Sequence, residues 1–221
     1  MLDIDNQAEK ELLVDISEGW LVTIHGNSFW FSGRCAKSFN GEYILAWKDA
    51  WIREHEGAGN EEFISGEYLL LENKKLIFKG ILPRPSSGKV ADNGTFIFND
   101  CLVFSGDVPK DEIVSNFCAF SKTGEELVTH FFSANLMTNG LSNDGKYALC
   151  ATDYSNTTDS NTVTCFDLVI RKLLWQKTPD IKIMQVGGFE FNAEENTIFY
   201  VYNNLGRFRY SMSGELLDDD Q

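Results

Sequence analysis

The chain has 221 residues, with 19 Lys and Arg against 33 Asp and Glu for a formal net charge of −14, and it is 43% hydrophobic and 13% aromatic. That length suits one large domain or two small ones, and the acidity argues against nucleic-acid binding, which needs clustered Lys and Arg to meet the phosphates. An acidic surface suits a basic partner instead. In chain order, the opening Met1-Leu2-Asp3-Ile4-Asp5 carries acids where a secretory signal needs a basic start. No apolar run approaches the roughly 18–20 residues that span a bilayer. The expectation is a cytoplasmic protein with no membrane contact.

The first pair of strands, Leu12–Ile16 and Trp20–Ile24, flanks Ser17-Glu18-Gly19. A pattern then recurs, an Asn/Asp-Gly turn followed by an aromatic or β-branched run: Asn40-Gly41-Glu42-Tyr43-Ile44, Asn93-Gly94-Thr95-Phe96-Ile97 and Asp144-Gly145-Lys146-Tyr147-Ala148, with a degenerate copy at Asn192–Tyr200. Such dipeptides mark tight hairpins because the turn needs positive φ, which Gly and Asn tolerate. The turn glycines 41, 94 and 145 repeat at close to equal spacing. Inside every period a second hairpin follows, as in Phe117–Val128 around Lys122-Thr123-Gly124-Glu125, and in Phe208–Leu217 around Ser213-Gly214-Glu215.

Four strands per period and four periods predict an all-β chain, a small β-propeller of four to five four-stranded antiparallel blades. The boundaries are a single domain over 1–221, with 1–28 as a partial blade or closing strands and repeats at about 29–80, 81–133, 134–180 and 181–218. A β-sandwich also produces short strands and Asn-Gly turns, and the near-equal period of about 50 residues favours the propeller. Pro83, Pro85, Pro109 and Pro179 all fall between apolar runs, as ladders demand. On Ser142-Asn143-Asp144-Gly145-Lys146-Tyr147, Phe166-Asp167-Leu168 and Lys172-Leu173-Leu174-Trp175, the stretch from about 29 to 218 resembles WD40-like and quinoprotein-like propeller repeats. It lacks the Gly-His and Trp-Asp dipeptides of the first and any evident cofactor site of the second, so the resemblance implies a fold and little about activity.

In a propeller blade the loops between second and third strands emerge at one end, together with the connections between blades. Here those loops are acidic. The first holds Asp49, Glu54, Glu56, Glu61 and Glu62 against Arg53; the second holds Asp107, Asp111 and Glu112 against Lys110; the third holds Asp153 and Asp159 with no base. Together they carry −8 of the total −14. Trp51 and Tyr154 lie among them as candidate anchors, since Trp and Tyr bring large contact area at low conformational cost. Solvation alone is the plain alternative reading of such loops.

Catalytic signatures do not emerge. His25, His55 and His130 fall at unrelated points of the repeats, and five cysteines, Cys35, Cys101, Cys118, Cys150 and Cys165, are widely spaced and mostly flanked by apolar residues, reading as reduced, buried small hydrophobes. The chain shows no GxSxG, GxxxxGK[ST] or GxGxxG pattern and no DxDxDG calcium loop. No cofactor or metal is expected.

The resulting expectation is a non-enzymatic acidic protein that captures a basic protein partner. Compact, acidic and without catalytic residues, the chain is similar in charge and size to immunity proteins of bacterial toxin systems. That similarity implies a cognate nuclease toxin as partner and occlusion of its active-site cleft. The alternative is a general propeller scaffold that docks peptides or subunits of a larger assembly.

Overall fold

The computed structural model describes residues 12–26, 29–54, 61–101, 114–179, 188–192, 197–202 and 206–220. Twenty strands and, among the described residues, no helix make up the fold. The first eight are β1 (Leu13–Ser17), β2 (Leu21–His25), β3 (Trp30–Lys37), β4 (Tyr43–Lys48), β5 (Trp51–Glu54), β6 (Glu61–Ile64), β7 (Gly66–Glu72) and β8 (Lys75–Leu82). Sheet 1 has the order β1-β2-β3-β4-β7-β8, and β5 and β6 form a separate two-stranded hairpin. Next come β9 (Pro85–Val90), β10 (Phe96–Cys101), β11 (Ser115–Phe120) and β12 (Glu126–Phe132) in sheet 2. Sheet 3 contains β13 (Leu136–Leu141), β14 (Tyr147–Thr152), β15 (Val163–Asp167) and β16 (Lys172–Lys177). Sheet 4 contains β17 (Gly188–Asn192), β18 (Thr197–Tyr202), β19 (Gly206–Ser211) and β20 (Leu216–Asp220). Every neighbouring pair is antiparallel and sheets 2 to 4 are simple meanders.

The sheets stack in chain order, and the two-residue side-chain period decides what meets what. Along β10, Phe96 and Phe98 join Tyr43, Leu45, Trp47, Tyr68 and Leu70 of sheet 1, while Ile97 between them joins Phe117, Ala148, Cys150 and Phe166 on the sheet 3 side. Along β14, Ala148 and Cys150 face sheet 2 and Leu149 and Ala151 face sheet 4. Inner strands buried on both faces have no polar alternation to keep, which is why they read as runs such as Tyr43-Ile44-Leu45-Ala46-Trp47. Sheet 4 alternates instead: Phe189 and Phe191 face sheet 3, and Glu190 between them is exposed.

Contacts between sheets run mainly through β3 and β4 of sheet 1 and the first two strands of sheet 2: β3 and β4 against β9, β9 and β10 against β13, and β13 against β17. Among the described residues, no core cluster joins sheet 4 to sheet 1.

The N-terminal hairpin explains how the far face of sheet 1 is covered. The first half of β3 pairs with β2 (Trp30 opposite His25, Arg34 opposite Leu21), and its second half pairs with β4 (Arg34 opposite Trp47, Lys37 opposite Ile44). At the changeover Gly33 lies so close to the Trp47 carbonyl that a Cβ would collide with it, the mark of a strand bending where only glycine fits. Beyond that bend β1 and β2 coil back over the sheet, so that Val14 and Ile16 pack on a cluster of Val22, Ile24, Phe31, Ile44, Leu69 and Leu71. The hairpin expected as a partial blade or as closing strands thus extends and caps sheet 1.

Four of the five cysteines are buried and Cys101 is half-buried. Burial pushes the Cys165 thiol up to about 12, and those of Cys118 and Cys150 are raised by the same cause. The His130 ring meets Phe132 edge-on at 4.6 Å and lies tilted to Phe166 at 5.6 Å, and burial lowers its pKa.

Candidate functional site

The sheets have two chemically different ends. At one end lie the turns of both hairpins of each sheet. Ser38 and Ser142 organise equivalent turns: each hydroxyl bonds an Asx carboxyl or amide oxygen two residues on (Asn40, 2.7 Å; Asp144, 2.8 Å) and accepts the N–H of the strand's first Tyr (Tyr43, 3.0 Å; Tyr147, 2.9 Å). Gly41, Gly94 and Gly145 take φ of +77°, +81° and +71°, which an L side chain adopts only under strain. Adjacent turns are stitched together, the Asn40 N–H donating to the Asp92 carboxylate at 2.7 Å and the Asp92 N–H to the Asn143 carbonyl at 2.8 Å. Partners one repeat apart in sequence become neighbours in space.

At the other end the loops between second and third strands meet the connections between sheets. Arg84, on the connection from β8 to β9, grips Asp49 with Nε at 3.2 Å and Nη2 at 3.1 Å, a two-pronged pairing that fixes both planes. Its backbone N–H donates to Asp100 at 2.6 Å. Asp100 is 1% exposed, and burial pushes its carboxyl up to about 6. In the next loop Asp159 accepts from the Ser133 N–H at 2.7 Å and its hydroxyl at 2.9 Å, and the Asp153 N–H donates to the Asn135 carbonyl at 2.8 Å. The Thr152 hydroxyl donates to the Asp159 carbonyl. The β4–β7 loop is thus pinned to the connection that leaves its sheet, and the β14–β15 loop to the connection that enters its sheet.

These pairings sort the acidic candidates. Asp49 and Asp159 hold their loops in place, and the Asp153 carboxylate accepts the Tyr154 N–H at 2.7 Å, leaving the Tyr154 side chain 54% exposed. Glu54, Glu61 and Glu62 stand on the β5–β6 hairpin, whose register sets Trp51 opposite Ile64, Ile52 opposite Phe63, Arg53 opposite Glu62 and Glu54 opposite Glu61. Trp51 and Phe63 are 45% and 43% exposed. Glu56, Asp107, Asp111 and Glu112 lie outside the described residues. Thus Asp49 and the hairpin share one loop, and Asp153, Tyr154 and Asp159 share another; both loops are anchored to inter-sheet connections at the same end.

Sequence reasoning did not single out Phe63, Arg84, Ser133 or Asp100. Phe63 sits in an acid-rich segment that reads as loop, and nothing local marks Arg84 as the partner of a residue 35 positions earlier. Asp100 carried a faint signal, a lone acid ending the apolar run Phe96-Ile97-Phe98.

Such an end can present the exposed aromatic rings of Trp51, Phe63 and Tyr154 from a fixed frame. Among the described residues no group of three or more His, Cys, Asp and Glu is placed to hold a metal ion, and no helix is long and apolar enough to cross a membrane. The chain matches no protein-family model and no curated protein.

Proposed function

We propose that this is a non-enzymatic acidic binding protein on an open β-propeller frame, which captures a basic protein partner with its loop end. In this reading the protein acts in the cytoplasm as an immunity protein, and the partner is a cognate nuclease toxin whose active-site cleft it occludes. The propeller description is supported by the succession of antiparallel sheets, one of six strands and three of four, packed in chain order through β3, β4, β9, β10, β13 and β17, with β1 and β2 covering the far face of sheet 1.

One observation carries the functional reading: the β5–β6 hairpin stands outside the four sheets and sets Glu54 directly opposite Glu61. The backbone register thus gathers three acidic residues, Glu54, Glu61 and Glu62, on one short hairpin. Carboxylates here take the place of substrate phosphates on the partner and accelerate encounter through their field. Exposed Trp51 and Phe63 on the same hairpin, and Tyr154 on the β14–β15 loop, supply the contacts that become desolvated and set residence time.

The test is charge reversal. Replacing Glu54, Glu56, Glu61 and Glu62 by Lys should weaken capture by more than about tenfold, chiefly through the association rate. Unchanged affinity for the partner removes the hairpin from the reading.

A further inference from the structure

Sheets 3 and 4 leave a space between them. Between them lies a cleft of about 180 Å³ whose walls include Leu149, Val163, Trp175, Phe189, Phe208 and Tyr210. Its walls are fixed by hydrogen bonds from one sheet to the other. Trp175 Nε1 donates to the Met212 carbonyl at 2.7 Å, and Lys177 Nζ donates to the Gly214 carbonyl at 2.8 Å. Gly214, at φ +77°, lets the turn approach the Trp175 ring to a distance at which a Cβ would stand 2.8 Å from it.

The geometry points to a site for a single-ring aromatic carboxylate in this cleft, with the ring between the sheets and the carboxylate on Lys177. Size is the first reason: an apolar cavity of roughly 150 Å³ stays dry and accepts one benzene ring, and this one is slightly larger and walled by four aromatic side chains. Charge is the second. Of the twelve residues that line the cleft, Lys177 alone carries a charge at neutral pH. Its ammonium has three N–H donors, of which the Gly214 carbonyl takes one. It also lies 5.8 Å from the centre of the Trp175 ring, so the cation stands at the aromatic wall. A neutral ring adds no charge partner for that ammonium, and a cationic ligand meets it as a like charge.

Phenylacetate is the probe. Titrated into the full chain and followed by the methyl resonances of Leu149, Val163 and Ile198, it should give saturable shifts. Its neutral isostere phenylacetamide should bind about threefold to fivefold more weakly, the increment of one exposed ion pair. Lys177→Gln should erase that preference and leave phenylacetamide binding as it was. Leu216→Trp, at a half-exposed position of the lining, should block both ligands. Methyl resonances that do not respond, equal affinity for acid and amide, or saturable shifts confined to other residues overturn the inference. The comparison of acid with amide uses the unaltered protein, so it stands whether or not either variant folds.

Discussion

The turn end and the loop end use the same residue types, Asp, Asn, Ser and Gly, to opposite effect. At the turn end each polar side chain is consumed within its own turn or by the next sheet's turn, as Ser38 binds Asn40 and Asp92 binds the Asn40 N–H. At the loop end Asp49 and Asp159 are consumed in the same way, but the segments they anchor extend past them and carry Trp51, Phe63 and Tyr154 exposed. The lesson is that an acid in such a loop can be spent on holding the loop, as Asp49 and Asp159 are, and what the loop then presents are the rings it carries.

The contrast is sharpest at Asp100, the buried carboxylate beneath the loop end. Its folded-state pKa of about 6 stands above its ordinary 3.8, so burial favours the protonated form. Stability contributed by this group is complete below about pH 3.8, declines as pH rises, and is lost by about pH 6; the ionised group then costs roughly 3 kcal/mol. Urea unfolding at several pH values should show wild type losing about that much stability relative to Asp100→Asn from pH 4 to pH 7. A difference independent of pH would contradict the burial.

A smaller loss is expected at the turn end. Gly124, at φ +78°, faces the Phe78 ring where a Cβ would stand, whereas Gly41, at φ +77°, has open space around it. Gly124→Ala should therefore cost about 2–3 kcal/mol, from backbone strain plus overpacking, and Gly41→Ala about 1 kcal/mol from strain alone. Equal losses would mean that the fit between turns does not matter.

The smallest effect on stability, and the one most specific to the loop end, belongs to Arg84→Ala. The ion pair with Asp49 is partly exposed, at 26% and 56% for the two side chains, and is worth about 1 kcal/mol or less. Its removal frees the base of the first loop, so partner affinity should fall while the unfolding midpoint barely moves. Affinity unchanged in Arg84→Ala would show that the loop needs no anchor.

Much of this fold was legible because its signals are local. The glycines at 41, 94, 124, 145 and 214 all adopt the positive φ that their turns require, and continuous apolar runs marked the strands buried on both faces. What escaped depends on residues distant in sequence. The bend at Gly33 is decided by the Trp47 carbonyl, so the place of the N-terminal hairpin over sheet 1 had no signature of its own. The β5–β6 hairpin was hidden because its acids obscure the pairing of Trp51 and Ile52 with Ile64 and Phe63. At the site, charge pointed to the loops, but which acids are held inward follows from Arg84 and Ser133, contributed by the connections from one sheet to the next.

The most direct measurement of whether the loop end captures a protein is hydrogen–deuterium exchange with and without the bound partner. Slowed exchange should concentrate in residues 49–64 and 153–162, while the turns at 38–43, 91–95 and 142–147 exchange as in the free protein. Protection confined to those turns, with the two loops unchanged, would contradict the assignment of binding to the acidic end.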